Sequence, residues 1–427
     1  MLNRMRIYSI ALVFLFIFCN LVFAEEMLSW QDCIKEAAKN NPDLIAAVEE
    51  IKQSEAAKKI TASALFPQID ANLNASTART ASDNQLGTTA DSYTYGVTGT
   101  QLIFDGTKTI QDVKAAAETI KASQQNYKFT STQVRLNLRT AFINLLKAQE
   151  LIRVTEEIVK IRKENYELIT LRYESGLEHK GALLTAEANL AEAFFELSQA
   201  KRDIGLAQRQ MTKEMGRREF IPMSVKVDFK VADSAKKKPD LEFLVKNHPS
   251  LQQLIAQKNS AEFSLRSAYA NFSPTLTGSA GANKAGTKWT PRGDNWNLGL
   301  ALSMPIFEGG LRLAQVSQAQ GLLNQLKENE RSTKDSLVVA LEQAWVSLQD
   351  ALETVDVKYK NLIATEERSK IAEAEYATGF ISYDNWTIIE DNLVQAKISY
   401  LNARANALQT EANWIKAKGE TLEYAKT

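Results

Sequence analysis

The chain has 427 residues and balances 51 lysines and arginines against 51 aspartates and glutamates. With no basic excess there is no electrostatic case for a nucleic-acid partner. Two histidines (His179, His248) and two cysteines (Cys19, Cys33) leave little material for imidazole acid–base chemistry, a zinc site or a disulfide framework, so neither an enzyme nor a cofactor is expected.

Residues 1–24 read as a cleavable export signal. Arg4 and Arg6 precede an apolar run from Ile7 to Phe18, and Val22-Phe23-Ala24 supplies small residues at the cleavage positions. An uncleaved anchor is the alternative, but the run is short for a transmembrane helix. A lipoprotein at Cys19 is disfavoured by the bulky Phe18 before it. Cleavage removes two basic groups and no acid, leaving a charge of about −2. Cys33 then remains alone and reads as a small buried hydrophobe. No later segment offers ~18 uninterrupted apolar residues, so no membrane-spanning helix is expected.

The rest is a tandem repeat. A shift of 207 places Asn40 on Asn247, Pro42 on Pro249, Glu55 on Glu262 and Pro67 on Pro274. A shift of 203 then places Phe104 on Phe307, Gly106 on Gly309, Leu138 on Leu341, Tyr173 on Tyr376, Gly176 on Gly379 and Gly216 on Gly419. The period is far longer than a solenoid unit, so this is a duplicated domain. The repeats span 25–216 and 241–427, with a linker at 217–240. The change of shift between Pro67 and Ile103 marks a surface loop.

Each copy opens with a helix, Asp43 to Leu65 and Ser250 to Phe272, entered through Asn-Pro or His-Pro. Two strand-like runs follow. Ile69, Leu73, Tyr93, Tyr95 and Val97 alternate with small polar residues in the first copy, as do Leu276, Ala280, Trp296, Leu298 and Leu300 in the second. Period two gives one apolar and one polar face. A proline-free helix comes next, Lys108 to about Tyr173 and Leu311 to about Tyr376. At 1.5 Å per residue each would reach roughly 100 Å. Val134, Leu138, Ala141 and Leu145 form one stripe; Val154, Ile158 and Leu168 continue a neighbouring one, as coiled-coil packing requires. Gly176 and Gly379 stop these helices, and return helices Ala182 to Met215 and Asp384 to Lys418 complete two hairpins. In the linker, Val225, Val227, Phe229 and Val231 suggest one short strand, and Lys236-Lys237-Lys238-Pro239 a solvated turn.

Strands of about ten residues suit an oblique bilayer crossing, and Tyr93, Tyr95, Trp289 and Trp296 near strand ends suit an aromatic girdle. Four strands cannot close a transmembrane barrel, and lipid does not tolerate open edges. A membrane role therefore demands several chains; three would supply twelve strands.

Phe104-Asp105-Gly106 and Phe307-Glu308-Gly309 after the second strands, with Tyr173-Glu174-Ser175-Gly176 and Tyr376-Ala377-Thr378-Gly379 at the helix turns, recur in register. This plan resembles the TolC-type outer membrane efflux protein family across essentially the whole mature chain. The resemblance implies a mainly α protein with a transmembrane β-barrel contribution, four strands per chain in a shared twelve-stranded barrel. It implies a homotrimer in outer membrane lipid, with long coiled-coil helices as a periplasmic tunnel. It also implies a passive duct for toxic small molecules, drugs or proteins, working with a periplasmic adaptor and an inner-membrane pump.

The resemblance places a periplasmic aperture near Tyr376 and Gly379. The family's two acidic ring positions fall on Asn385 and Ile388, neither acidic; Asp384 is one residue off, and Glu390 and Asp391 lie deeper. Asp384 suits either a three-fold acid ring or an ordinary helix-start acid. Tyr173, Gly176 and an exposed His179 suit adaptor docking or packing. The rival from another class is an exported, non-pore coiled-coil adaptor with a soluble, half-buried sheet.

Overall fold

The computed structural model describes residues 26–82, 85–226 and 238–423. The export signal expected over 1–24, with Cys19, lies outside them, as do Val227, Phe229, Val231, Lys236 and Lys237. The elements in order are β1 (Glu26–Leu28), α1 (Trp30–Asn40), α2 (Pro42–Ser63), β2 (Gln68–Ser82) and β3 (Gln85–Phe104). They continue with α3 (Lys108–Glu174), α4 (Lys180–Met215), β4 (Met223–Val225), α5 (Leu241–Lys246) and α6 (Pro249–Ala270). The chain closes with β5 (Thr275–Gly286), β6 (Gly293–Ser303), α7 (Leu311–Ala377) and α8 (Tyr383–Ala417). The protein is mainly helical. Among the described residues no helix is long and apolar enough to cross a membrane.

The duplication is visible element by element. α2 and α6 have 22 residues each, α3 and α7 have 67 each, and α4 and α8 have 36 and 35. Gly176 and Gly379 adopt φ of 73° and 81°, a left-handed conformation that a side chain resists. Gly176 N–H donates to Tyr173 O and Leu177 N–H to Arg172 O; Gly379 N–H donates to Tyr376 O and Phe380 N–H to Glu375 O. The same paired bonds close α4 at Gly216 and follow α8 at Gly419, so both hairpins carry duplicated stop signals.

The chain divides into two compact units, each drawing on both copies. One takes the chain up to Leu44, Ser131–Pro239 and everything from Ala340; the other takes Ile45–Thr130 and Asp240–Val339. In the first unit, Val154 and Ile158 of α3 meet Ala193 of α4 and Val394 and Leu401 of α8. The predicted stripes on α3 are thus its packing surfaces. α1 packs on α4; its capping box, Ser29 with Asp32, fixes the start. Cys33 is fully buried there, and burial pushes its thiol up to about 12. Arg217 holds Glu36 through two bonds of 2.6 and 2.8 Å and Glu26 at 2.7 Å, tying the start of the described chain to the end of α4.

Three details depart from expectation. The first-copy strands run 15 and 20 residues rather than about ten, because a polar hairpin continues the ladder past the apolar stretch. The described linker strand, Met223–Val225, begins two residues before the expected start because its partner is β1, in parallel register from Glu26 opposite Met223; the expected Val227, Phe229 and Val231 lie outside the described residues. Sequence reading had no place for α1, α5 or β1.

In the second unit, α2 meets α3 through Ser54 and Ser123 (2.8 Å) and through Glu50 and Asn126 (2.9 Å). α6 meets α3 where Ser260 Oγ donates to Ala115 O at 3.0 Å, and α7 where Lys258 pairs with Glu330 at 2.7 Å. Buried Ala115, Ala122, Ala256 and Ala261 permit this close approach. His248 caps α6, its Nδ1 accepting the Ser250 N–H at 3.2 Å. Burial pulls His248 from 6.5 down to about 4, since the charged form loses solvation and the cap needs the neutral ring. A depressed histidine contributes stability that is complete above pH 6.5 and lost as pH falls toward 4. A shift of this size is on the order of 3 kcal/mol. Unfolding midpoints should therefore drop between pH 7 and 4 more steeply in the wild type than in His248→Asn; equal slopes would refute the assignment.

The sheet lies in this unit, in the order β2-β3-β5-β6, antiparallel throughout. Among the described residues β2 and β6 are edge strands with unpaired outer sides.

Candidate functional site

Two regions hold the residues singled out by sequence: the helix turns in the first unit and the sheet in the second. At the turns, α4 starts on His179, whose Nδ1 accepts the Ala182 N–H at 3.1 Å. α8 starts on Ser382, whose Oγ accepts the Asn385 N–H at 3.4 Å. The two turns share one backbone design and differ in what they bury.

Tyr376 is 1% exposed and stacks on Trp386, with centroids 4.5 Å apart and planes 8° from parallel. Tyr383 meets both rings edge-on, and Ile169, Ala182, Ala186 and Ala372 complete the cluster. The first turn grips this aromatic group. Tyr376 Oη donates to Glu178 Oε1 at 2.6 Å, and the Arg172 guanidinium lies 4.7 Å from the centre of the Tyr376 ring. Burial, reinforced by the Glu178 carboxylate, holds the Tyr376 phenol well above its ordinary range, so it remains a donor. Burial raises Tyr383 as well. One buried donor here, Trp386 Nε1, has no hydrogen-bond partner, at a cost of about 1–3 kcal/mol. Arg172 Nε lies 4.0 Å from Glu178 Oε1, within ion-pair range, so the junction is held by ring packing together with this charge pair.

The expected aperture residues part company here. Tyr376 is core. Asp384, Asn385 and Ile388 are exposed on the first turns of α8. Glu390 is not an open acid: it is 4% exposed and accepts from Ser369 Oγ, because the helix period turns position 390 inward with Tyr383 and Trp386. Asp391 pairs with Arg162 at 2.5 Å. Tyr173, Gly176 and His179 are exposed, and a Cβ at Gly176 would meet nothing within 4 Å. Sequence reading gave no role to Arg172, Glu178 or Trp386. The available signal was three aromatics, Tyr376, Tyr383 and Trp386, flanking a helix-stopping glycine.

In the sheet, register sorts the faces. Ile69 lies opposite Gly99, Ala71 opposite Val97 and Leu73 opposite Tyr95; Ala280 lies opposite Leu298, Ala282 opposite Trp296 and Gly278 opposite Leu300. Cross-strand partners share a face, so one side is apolar across all four strands. It is uncovered: Trp296, Leu298, Leu300 and Leu302 are 69–81% exposed. The half-buried soluble sheet of the rival reading does not match this. Tyr93 and Tyr95 flank Trp289 edge-on, at 5.6 and 5.9 Å, and Tyr95 Oη donates to the Trp289 carbonyl. Both tyrosines lie mid-strand in β3, not near its end, since β3 is longer than expected. They are instead level with the end of β5, where Tyr93 pairs with Gly286.

Comparison with known proteins matches this chain to the family described as "Outer membrane efflux protein" over residues 33–217 and 242–420, one stretch per copy. Outer membrane protein TolC of Escherichia coli (strain K12) is 25% identical over 192 residues, 42% of this chain. That alignment spans only 39% of TolC's own length. Among solved structures, a membrane protein from Pseudomonas aeruginosa superposes with a TM-score of 0.82 at 16% identity, covering 90% of this chain and 92% of that one. The open state of the Neisseria gonorrhoeae MtrE outer membrane channel gives 0.79 at 19%, covering 92% and 89%. At these identities the structural likeness is one of fold.

Proposed function

Because the chain belongs to the outer membrane efflux protein family, and so to the Gram-negative outer membrane, we propose that it is the exit duct of a tripartite export assembly. Three copies would share one twelve-stranded barrel in outer membrane lipid, and the hairpins of repeats 25–216 and 241–427 would form a periplasmic tunnel. The observation that carries this reading is the sheet: an uncovered apolar face, a polar reverse face and two unpaired edges. β2 and β6 run in opposite directions, so β6 of one subunit can meet β2 of the next without breaking the antiparallel alternation. Closure satisfies every edge group, as lipid requires. The apolar face then meets acyl chains, with Tyr93, Tyr95, Trp289 and Trp296 toward one interface.

No covalent step is involved. Cargo, either small toxic molecules and drugs or secreted proteins, would move passively, with energy supplied by an inner-membrane pump. A periplasmic adaptor would dock at the exposed turns around Tyr173, Gly176 and His179. Opening would part the grip of Arg172 and Glu178 on Tyr376, while Asp384, Asn385 and Ile388 border the aperture beside Gly379.

Detergent-purified protein should give discrete conductance steps in planar bilayers. Cysteines placed one on β2 and one on β6 should link neighbouring chains into a trimer ladder on denaturing gels, with native Cys33 silent because it is buried. A protein that stays water-soluble and never inserts would sink the reading.

A further inference from the structure

Among the described residues, the polar face of the sheet carries a single ionisable side chain. Asp70 pairs with Thr98, Thr98 with Gly281 and Gly281 with Asn297, which puts Asp70 on the face opposite the uncovered leucines. Its companions there are uncharged: small residues, hydroxyls and the amides of Asn72, Asn74, Asn283, Asn295 and Asn297. Every other described residue of this four-stranded sheet with a full charge at neutral pH falls on the apolar-side register. Arg79 lies opposite Thr89, Asp91 opposite Thr77, and Lys284 opposite Asp294, with which it pairs at 3.4 Å.

We propose that Asp70 sets the charge preference of the barrel. Three copies form one ring of carboxylates in a wall whose other described side chains carry no charge. This rests on the shared-barrel reading above, in which the polar face turns inward. A ring of like charges on an aqueous wall concentrates cations and repels anions. Among the described residues no basic side chain on that face offsets it. At the turns, Asn385 and Ile388 carry no charge, so Asp384 is the competing candidate among the aperture residues.

The test is the reversal potential of the full-length mature protein in planar bilayers, under a roughly tenfold KCl gradient near 0.1 M, where the screening length is about 10 Å. Wild type should prefer cations. Asp70→Asn should lower the cation-to-anion permeability ratio by roughly threefold or more, since a wall potential of order kT weights the two ions oppositely. Asp70→Lys should invert the preference, and the differences should shrink near 1 M salt, where the screening length is about 3 Å. Conducting channels whose reversal potential is moved by Asp384→Asn and not by either Asp70 variant would overturn the inference. Asp70→Cys adds a check on placement. A cationic methanethiosulfonate should modify it in the open pore and shift preference toward anions, while fully buried Cys33 does not respond. Failure to label would also overturn the inference. Absence of any channel from the wild type would instead overturn the shared-barrel reading, and this inference with it.

Discussion

Trp386→Ala is expected to loosen the second helix turn and raise the open fraction of the channel. Truncating a fully buried tryptophan costs about 3–5 kcal/mol, and Trp386 is 2% exposed against Tyr376. Part of that loss is returned, because the change also removes the unpartnered Nε1 donor, an orphan that costs about 1–3 kcal/mol. A net loss of about 2 kcal/mol shifts a two-state opening equilibrium roughly 30-fold. Trp386→Phe separates the two contributions: it keeps a stacked ring and deletes the orphan donor, so the turn should stay closed. Single-channel recordings supply the open fraction, and limited proteolysis at Phe380, already 84% exposed, reports local loosening. If Trp386→Ala and Trp386→Phe behave alike, ring stacking is not what holds the turn.

Leu300→Arg should abolish assembly. Leu300 is 73% exposed on the apolar face, within a row running from Leu302 to Trp296. An arginine near the bilayer midplane on a barrel's lipid face costs about 2–4 kcal/mol, and a three-fold assembly incurs it three times. The neighbouring position supplies the control: Ala301 pairs with Thr277 on the polar face, so Ala301→Ser should be tolerated. Heat-sensitive trimer bands and outer-membrane fractionation read the difference. Normal trimers from Leu300→Arg would mean that this face does not meet lipid.

Much of the fold was legible because its strongest signals are local. Lys108 and Leu311 begin the long helices where sequence placed them, and the glycines at 176 and 379 end them within a residue or two. Alternation identified both faces of the sheet. What escaped depends on partners far away in sequence. β1 exists only because Met223–Val225 returns beside it, and three residues carry no periodicity. The extent of β2 and β3 was hidden because polar residues continue a ladder as well as apolar ones do. Glu390 reads as an acid near an expected aperture, and only Ser369, on another helix, reveals that it is buried. Arg172 and Glu178 look like ordinary helix-end charges until Tyr376 is placed between them.

Tyr173 and Tyr376 are repeat-related yet differ in burial. Each stands three residues before the glycine that ends its long helix, yet one is 37% exposed and the other 1%. The second copy has Tyr383 and Trp386 around its tyrosine, where the first has Lys180 and Leu183 at matching places. A chain that carries both copies presents two kinds of tip, and a substitution can alter one without touching the other.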